Sequence, residues 1–221
     1  MKKREAEEWL RQQLQNIYDY AESKGIADMV MENITGQNRM QRMSGAEEPL
    51  NEAQRQRLTD VAQRLQVHEP VQYILGEPHF GRLKLFVDCA VLIPRPETEE
   101  LVHWIVQDVK ASAKPVFNAG NATADKTTLL KILDVGTGSG CIALSLKAEM
   151  PLAEVWGCDV SDAALNIARR NGSELDIRVD FVGLDFLDAA QRRQLPMVDV
   201  IVSNPPYIPI TEKDSMAQNV V

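Results

Sequence analysis

Few of the residue types that announce a specialised chemistry are present in this chain. Cys89, Cys141 and Cys158 stand far apart, with no CxxC or other metal-ligand spacing. That argues against a disulfide scaffold or a structural zinc site and leaves three reduced thiols, read as small buried residues of a cytoplasmic protein. No apolar run is long enough to span a bilayer, so no membrane association is expected. The start, MKKREAEEWL, opens like a signal peptide but has acids and amides where an apolar stretch should follow, so the chain reads as unexported. Positive charge is short as well: 24 Lys and Arg against 32 Asp and Glu give a net charge of -8. Nucleic-acid affinity rests on basic side chains neutralising phosphates, so this balance argues against a general grip on nucleic acid and leaves only a local basic groove open.

What is present is a globular composition, 44% apolar over 221 residues, enough for one large domain or for two with one small. From Glu5 to Ser23, Ala6, Trp9, Leu10, Leu14, Ile17, Tyr18 and Ala21 recur at helical spacing, and Lys24-Gly25 reads as the stop. A second short helix carries Ile26, Met29, Val30 and Ile34 up to Gly36. After a polar connector a third carries Leu50, Ala53, Leu58, Val61, Ala62 and Leu65. These predict a small helical bundle over residues 1–78, with Met29, Met31, Met40 and Met43 taken as gap-filling core. Residues 79–95 read as a β-hairpin linker, and residues 96–221 as the second domain. Pro96 opens a helix to about Val109, with acids in its first turn. Arg95, between two prolines, is either a solvated linker residue or a brace for a carboxylate. Residues 111–128 are small and polar and read as a surface loop.

The second half alternates strand and helix patterns. Strands are expected over 129–135, 154–158, 177–182 and 198–202, with helices over 141–148, 163–170 and 187–195 and Ser161 as an N-cap. Such alternation makes a parallel, doubly wound sheet that binds ligands beyond the carboxyl ends of its strands. The polar signatures collect at those ends. Asp134-Val135-Gly136-Thr137-Gly138-Ser139-Gly140 ends the first strand, and its alternate glycines permit close approach and positive φ. It is neither GxGxxG nor a P-loop, and Asp134 would repel a phosphate while suiting an ammonium or sulfonium group. Asp159 ends the second strand, where a carboxylate commonly accepts from ribose hydroxyls. Asp185-Phe186 follows the third, offering an acceptor for an exocyclic amine and a ring to stack on a base. Asn204-Pro205-Pro206-Tyr207 follows the fourth. Locally it is either a Pro-Pro strand stop with a rim aromatic or the wall of a site.

DVGTGSG, Asp159, Asp185-Phe186 and NPPY together resemble a class I S-adenosylmethionine-dependent methyltransferase acting on planar nitrogen. GEPHFGRLKLFVDCAVLIPRPETEELV, SNPPYIP and the preceding helical domain narrow the resemblance to the HemK or PrmC family, the release-factor glutamine N5-methyltransferases. The resemblance implies a Rossmann-like α/β sheet preceded by a small α-helical bundle that recognises the release factor. It implies that S-adenosyl-L-methionine, leaving as S-adenosyl-L-homocysteine, is lined by Asp134, Gly136, Thr137, Gly138, Ser139, Gly140, Asp159, Asp185, Phe186 and Asn204. It also implies that Asn204, Pro205, Pro206 and Tyr207 hold the glutamine of the GGQ motif in peptide chain release factors. Phe186 occupies a position often Trp in the family and keeps the aromatic character. Family members continue with further strands, so the sheet is expected to be C-terminally incomplete. A monomer is expected. Two rivals remain: a methyltransferase for adenine or guanine amino groups in nucleic acid, since NPPY suits any planar NH2, and a catalytically inactive binding module.

Overall fold

The computed structural model of the protein describes residues 1–112 and 129–205. The chain divides into two compact units, residues 1–75 and a second beginning at Gly76. The first is helical. In α1 (Lys3–Leu14), Ala6, Leu10 and Leu14 share one face at four-residue spacing and are completely buried. α2 (Tyr20–Thr35) buries Ile26, Ala27, Val30 and Met31. The short α3 (Arg39–Ser44) is pinned by buried Arg42, which donates to Asp28 of α2 at 2.8 Å and to the Gln37 carbonyl. α4 (Glu52–Gln66) and α5 (Val71–Leu75) add Leu58, Val61, Leu65, Val71 and Ile74 to the same core. Each such side chain contributes about 1.5–3 kcal/mol when taken out of water, which offsets weak local propensity.

Helix boundaries differ from the expectation at the start of the chain. The stretch read as one helix to Ser23 is two: α1 ends at Leu14, and α2 begins after Asp19, whose carboxylate accepts from the Glu22 N–H at 2.8 Å. Gly25 does not stop a helix but lies inside α2. A single glycine costs a helix roughly 1 kcal/mol, less than an N-cap and a buried apolar face contribute. The stop is Gly36, left-handed at φ 65°, with its N–H on the Glu32 carbonyl. The connector after it is partly helical, as α3, begun by reciprocal side-chain bonds between Asn38 and Gln41. Of the four methionines taken as core only Met31 is buried; Met29, Met40 and Met43 are on exposed faces.

In the second unit, β1 (His79–Phe80) and β2 (Leu83–Lys84) pair antiparallel around Gly81. The hairpin is thus shorter than 79–95, and it belongs to the core: Phe80 and Leu85 pack with Val102 and Val106 of α6 (Pro96–Ser112). Residues 111 and 112 complete α6, whereas 113–128 lie outside the described residues. There follow β3 (Lys131–Val135), α7 (Cys141–Glu149), β4 (Glu154–Asp159), α8 (Asp162–Glu174), β5 (Asp180–Gly183), α9 (Ala189–Arg192) and β6 (Val200–Ser203). Ser161 caps α8 as expected, accepting from Ala164 N. β5 and α9 are shorter than their apolar patterns.

The four strands are parallel, in the order β5-β4-β3-β6. The chain steps outward from β3 to β5, then returns past its start to lay β6 on the other side of β3. Right-handed crossovers place connections made in opposite directions on opposite faces. Accordingly Ile132 and Val155 pack with α6 and α7, while Leu133, Cys158 and Val182 face Phe186, Leu195 and Val198 from the β5–β6 connection. This is the Rossmann-like class I methyltransferase architecture. The reversal leaves a crevice where the carboxyl ends of β3 and β6 run side by side, Val135 opposite Ser203. Among the described residues no helix is long and apolar enough to cross a membrane, and no acid, His or Cys cluster could hold a metal.

Gly25→Ala tests the continuous α2. An added β-carbon meets nothing within 4 Å, so the variant should be stabilised by about 0.5–1 kcal/mol in urea unfolding. Destabilisation would restore a chain break at Lys24-Gly25.

Candidate active site

β3 delivers the chain to the crevice, and residues 136–140 turn it into α7. Gly136, Gly138 and Gly140 have φ of 71°, 55° and 81°, a left-handed backbone that side chains oppose. Their jobs differ. A β-carbon on Gly136 or Gly138 would meet nothing within 4 Å, so these two border open space. One on Gly140 would stand 3.1 Å from Phe181 and 3.2 Å from Ala168 and Leu144, so Gly140 serves the packing of α7 and α8 against the sheet.

The loop is braced from beneath by Asp134. Its carboxylate is completely buried, and Oδ2 accepts from the Thr137 hydroxyl at 2.7 Å. The expected contact between Asp134 and a cationic ligand is replaced here by support of the loop, because no part of the side chain reaches the surface. Thr137 and Ser139 are buried too. Oδ1 of Asp134 has no well-formed hydrogen bond among the described residues. Burial pushes the carboxyl up to about 7; the Thr137 hydroxyl and the nearby Ala143 N–H hold it back in part, and Asp159 adds a small upward push. The Gly136 and Thr137 N–H groups donate to the Cys158 carbonyl at 2.9 and 3.0 Å, tying the loop to β4.

At the end of β4, half-buried Asp159 accepts from Gly138 N at 2.9 Å through Oδ2 and from Ser161 N at 3.0 Å through Oδ1. It therefore meets the loop at Gly138, with acceptor capacity beyond these two bonds. Beyond β5, Asp185 is exposed and accepts from Leu187 N at 2.8 Å. Phe186 is half-buried; the Arg192 guanidinium lies 5.5 Å from its ring and donates to its carbonyl at 2.8 Å.

Beyond β6, Asn204 Nδ2 donates to Thr98 Oγ1 of α6 at 3.0 Å. The strand end is tied across the crevice by Ser203 Oγ, which donates to the Val135 carbonyl at 2.8 Å. Pro205 is exposed, and Pro206 and Tyr207 lie outside the described residues. Arg95 is exposed, but its carbonyl accepts from Thr98 N and so helps begin α6.

Three residues escaped the sequence reading. Thr98 is buried at the head of a stripe continued by Val102 and Val106, and a hydroxyl at four-residue spacing with two buried valines was the available signal. Asn171 is buried in α8: its Oδ1 accepts from Phe86 N at 2.7 Å, and its Nδ2 donates to the carbonyls of Phe86 and Ser139 at 3.0 and 2.9 Å. That clamp holds the glycine loop to the segment after the hairpin. Gly157 in β4 would place a β-carbon 2.7 Å from Thr137 Oγ1 and 2.8 Å from Phe181. A glycine inside a strand is the signal for such close approach.

Burial disfavours the thiolates of Cys141 and Cys158, pushing the first thiol up to about 12 and the second up to about 11. Cys89, expected to be buried, is exposed. A groove of about 730 Å³ lies in the helical unit, lined by Lys3, Glu7, Trp9 and Arg42 among others, and includes none of the strand-end residues.

A methyltransferase small domain matches residues 122–221, and a PrmC N-terminal domain matches residues 5–76. The release factor glutamine methyltransferase of Bacteroides thetaiotaomicron is 39% identical over 96% of this chain and 70% of its own length. The chain belongs to the release factor glutamine methyltransferase family. Other members give the same picture: that of Flavobacterium psychrophilum is 36% identical over 95% of this chain and 69% of its own. That of Salmonella typhimurium is 38% identical over 90% of this chain and 66% of its own. In this member of the family, the glycine loop, Asp159 and Asn204 all stand at carboxyl ends of strands that the topology gathers at one edge of the sheet.

Two variants probe the loop. Gly157→Ala should displace Thr137 and destabilise the unit by about 1–3 kcal/mol, the usual cost of overpacking, while weakening binding of S-adenosylhomocysteine in calorimetry. Unchanged stability and binding would remove Gly157 from the loop's support. For Asp134 the folded value lies above the unfolded one, so the folded state holds the proton more tightly and stability falls as pH rises from about 4 to about 7. The difference in unfolding free energy between wild type and Asp134→Asn should therefore drift against the wild type across that window; a flat difference would contradict the burial.

Proposed function

We propose that the protein transfers the methyl group of S-adenosyl-L-methionine to the side-chain amide nitrogen, N5, of the glutamine in the GGQ motif of peptide chain release factors. Membership of the release factor glutamine methyltransferase family supports this reading. The observation that carries it is the Asn204 carboxamide, held by Thr98 at the topological reversal beside the glycine loop.

The strand-end residues fit the cofactor by their chemistry. Gly136 and Gly138 border space that a side chain would fill. Asp159 stands where ribose hydroxyls are ordinarily received, and Asp185 and Phe186 suit an exocyclic amine and an adenine face. No Lys or Arg stands in residues 134–140, in keeping with a ligand that lacks phosphates. Asp134, Thr137, Ser139 and Gly140 serve from beneath, holding the loop's shape. When bound, S-adenosylmethionine supplies a methyl group activated by a positively charged sulfur.

A carboxamide nitrogen is a poor nucleophile because its lone pair is delocalised into the carbonyl. The protein's part is therefore orientation. In this reading Asn204 Oδ1 and the Pro205 carbonyl accept the two N–H groups of the substrate glutamine, and the expected part of Tyr207, which lies outside the described residues, is to pack on the amide plane. As positive charge develops on the nitrogen its N–H groups become stronger donors, so these hydrogen bonds strengthen toward the transition state. No general base is required, since the extra proton becomes acidic only as transfer proceeds. The second unit, beginning at Gly76 and including the hairpin, carries the chemistry, and the helical residues 1–75 recognise the release factor.

The test is incubation of the protein with cofactor and a recombinant release factor, followed by mass spectrometry of the GGQ peptide. One added methyl group on glutamine is expected, and DNA or RNA methylated in its place would overturn the assignment. Asn204→Ala should abolish turnover with little change in affinity for S-adenosylhomocysteine. Asp159→Ala should weaken that affinity about tenfold or more, as loss of a hydrogen bond to a charged group does.

A further inference from the structure

We propose that Thr98 is a positioning residue for methyl transfer, anchoring one edge of the Asn204 carboxamide so that the other edge is held toward the substrate. This rests on the role of Asn204 in the proposed function. The oxygen and nitrogen ends of a carboxamide have almost the same shape, so packing alone scarcely distinguishes the two orientations related by a half-turn. Their chemistry is opposite. Nδ2 donates to Thr98 Oγ1 at 3.0 Å, which puts Oδ1 on the other edge. A hydroxyl can serve either end of a carboxamide, so Thr98 fixes where the group lies and the substrate NH2 favours the orientation that presents Oδ1. In the reversed orientation an NH2 group would confront the NH2 of the substrate glutamine, two donors with no acceptor between them.

The support on both sides of this contact is firm. Thr98 is 6% exposed, in the first turn of α6, with its N–H on the Arg95 carbonyl at 3.0 Å. Pro96 sets the backbone at the helix start, and buried Val102 and Val106 hold the same face of α6 against the core. The β-branched side chain has two favoured rotamers in a helix, and in the one observed the hydroxyl meets Asn204 Nδ2. Asn204 follows directly on β6, whose last residue, Ser203, donates to the Val135 carbonyl. A helix and a strand that meet 106 residues apart in sequence thus fix the two ends of one hydrogen bond. This also gives a physical role to the threonine of the RPETE segment, in which the exposed Arg95 and the first-turn acids serve the start of the helix.

Thr98→Val keeps the shape and removes the acceptor; Thr98→Ser keeps the acceptor. For Thr98→Val, kcat with release factor should fall about tenfold, which corresponds to ~1.4 kcal/mol, with affinity for S-adenosylhomocysteine and thermal midpoint near those of wild type. Thr98→Ser should recover most of the rate. The side-chain NH2 resonances of Asn204, assigned by their loss in Asn204→Ala, should show slowed exchange in wild type and Thr98→Ser and lose it in Thr98→Val. Full activity of Thr98→Val, failure of Thr98→Ser to recover, or Asn204 resonances indifferent to residue 98 would each overturn the proposal. A wild type that methylates no release factor would sink the proposed function, while the Asn204 resonances would still decide whether Thr98 anchors the carboxamide.

Discussion

The parallel pairing of β3 with β6 is the constraint on which the rest of the second unit depends. Asp134 lies opposite Val202 and Val135 opposite Ser203, so the glycine loop and Asn204 leave the sheet from adjacent strand ends. A shift of one residue in that register would turn Val202 from the core and move Asn204 away from the loop. The pairing is secured from several sides. Ile132 and Val202 are buried with α6 and α7, Asp199 accepts from Lys131 N at 2.8 Å, and Ser203 bonds the Val135 carbonyl. Parallel strands need long crossovers, so this register depends on residues far apart in the chain meeting around one core.

Around this register the buried polar side chains divide the labour. Asp134 and Thr137 hold the loop from below, Asn171 holds it from α8, and Thr98 holds Asn204 from α6. A buried polar group that lost its partner would cost more than the bond it makes in place, so each restricts its neighbours to one arrangement. The same low-dielectric setting that raises the Asp134 carboxyl makes its bond to Thr137 stronger than a surface bond would be. A site whose work is orientation benefits from this rigidity. The open space lies next to Gly136 and Gly138, and the packed side lies next to Gly140 and Gly157.

Much of this was legible in the order of residues. Alternating apolar runs separated by helical patterns announced the parallel sheet, and each polar signature fell at a strand end because that is where such sheets expose backbone to ligands. Asp159, Phe186 and Asn204 were singled out that way, and the structure places each at or just beyond a strand end. The errors have physical causes. Gly25 reads as a helix stop by propensity, yet the buried face of α2 outweighs one glycine. Met40 and Met43 are apolar by type but face outward on a six-residue helix held by Arg42. Asp134 reads as a ligand-facing acid because its position in the motif says nothing of which side of the loop its carboxylate takes.

The sequence by itself determined the element types, the helical first part, the glycine turn, the chemistry at each strand end and the family resemblance. These follow from periodicity, backbone permissiveness and side-chain type, all local properties. Tertiary structure decided which groups meet. That Thr98 reaches Asn204, that Asn171 grips both Phe86 and Ser139, and that Gly157 leaves room for Thr137 depend on crossovers that close only once the sheet has formed. Hydrogen bonds act over about 3 Å, and no local pattern brings residues 98 and 204 within that range.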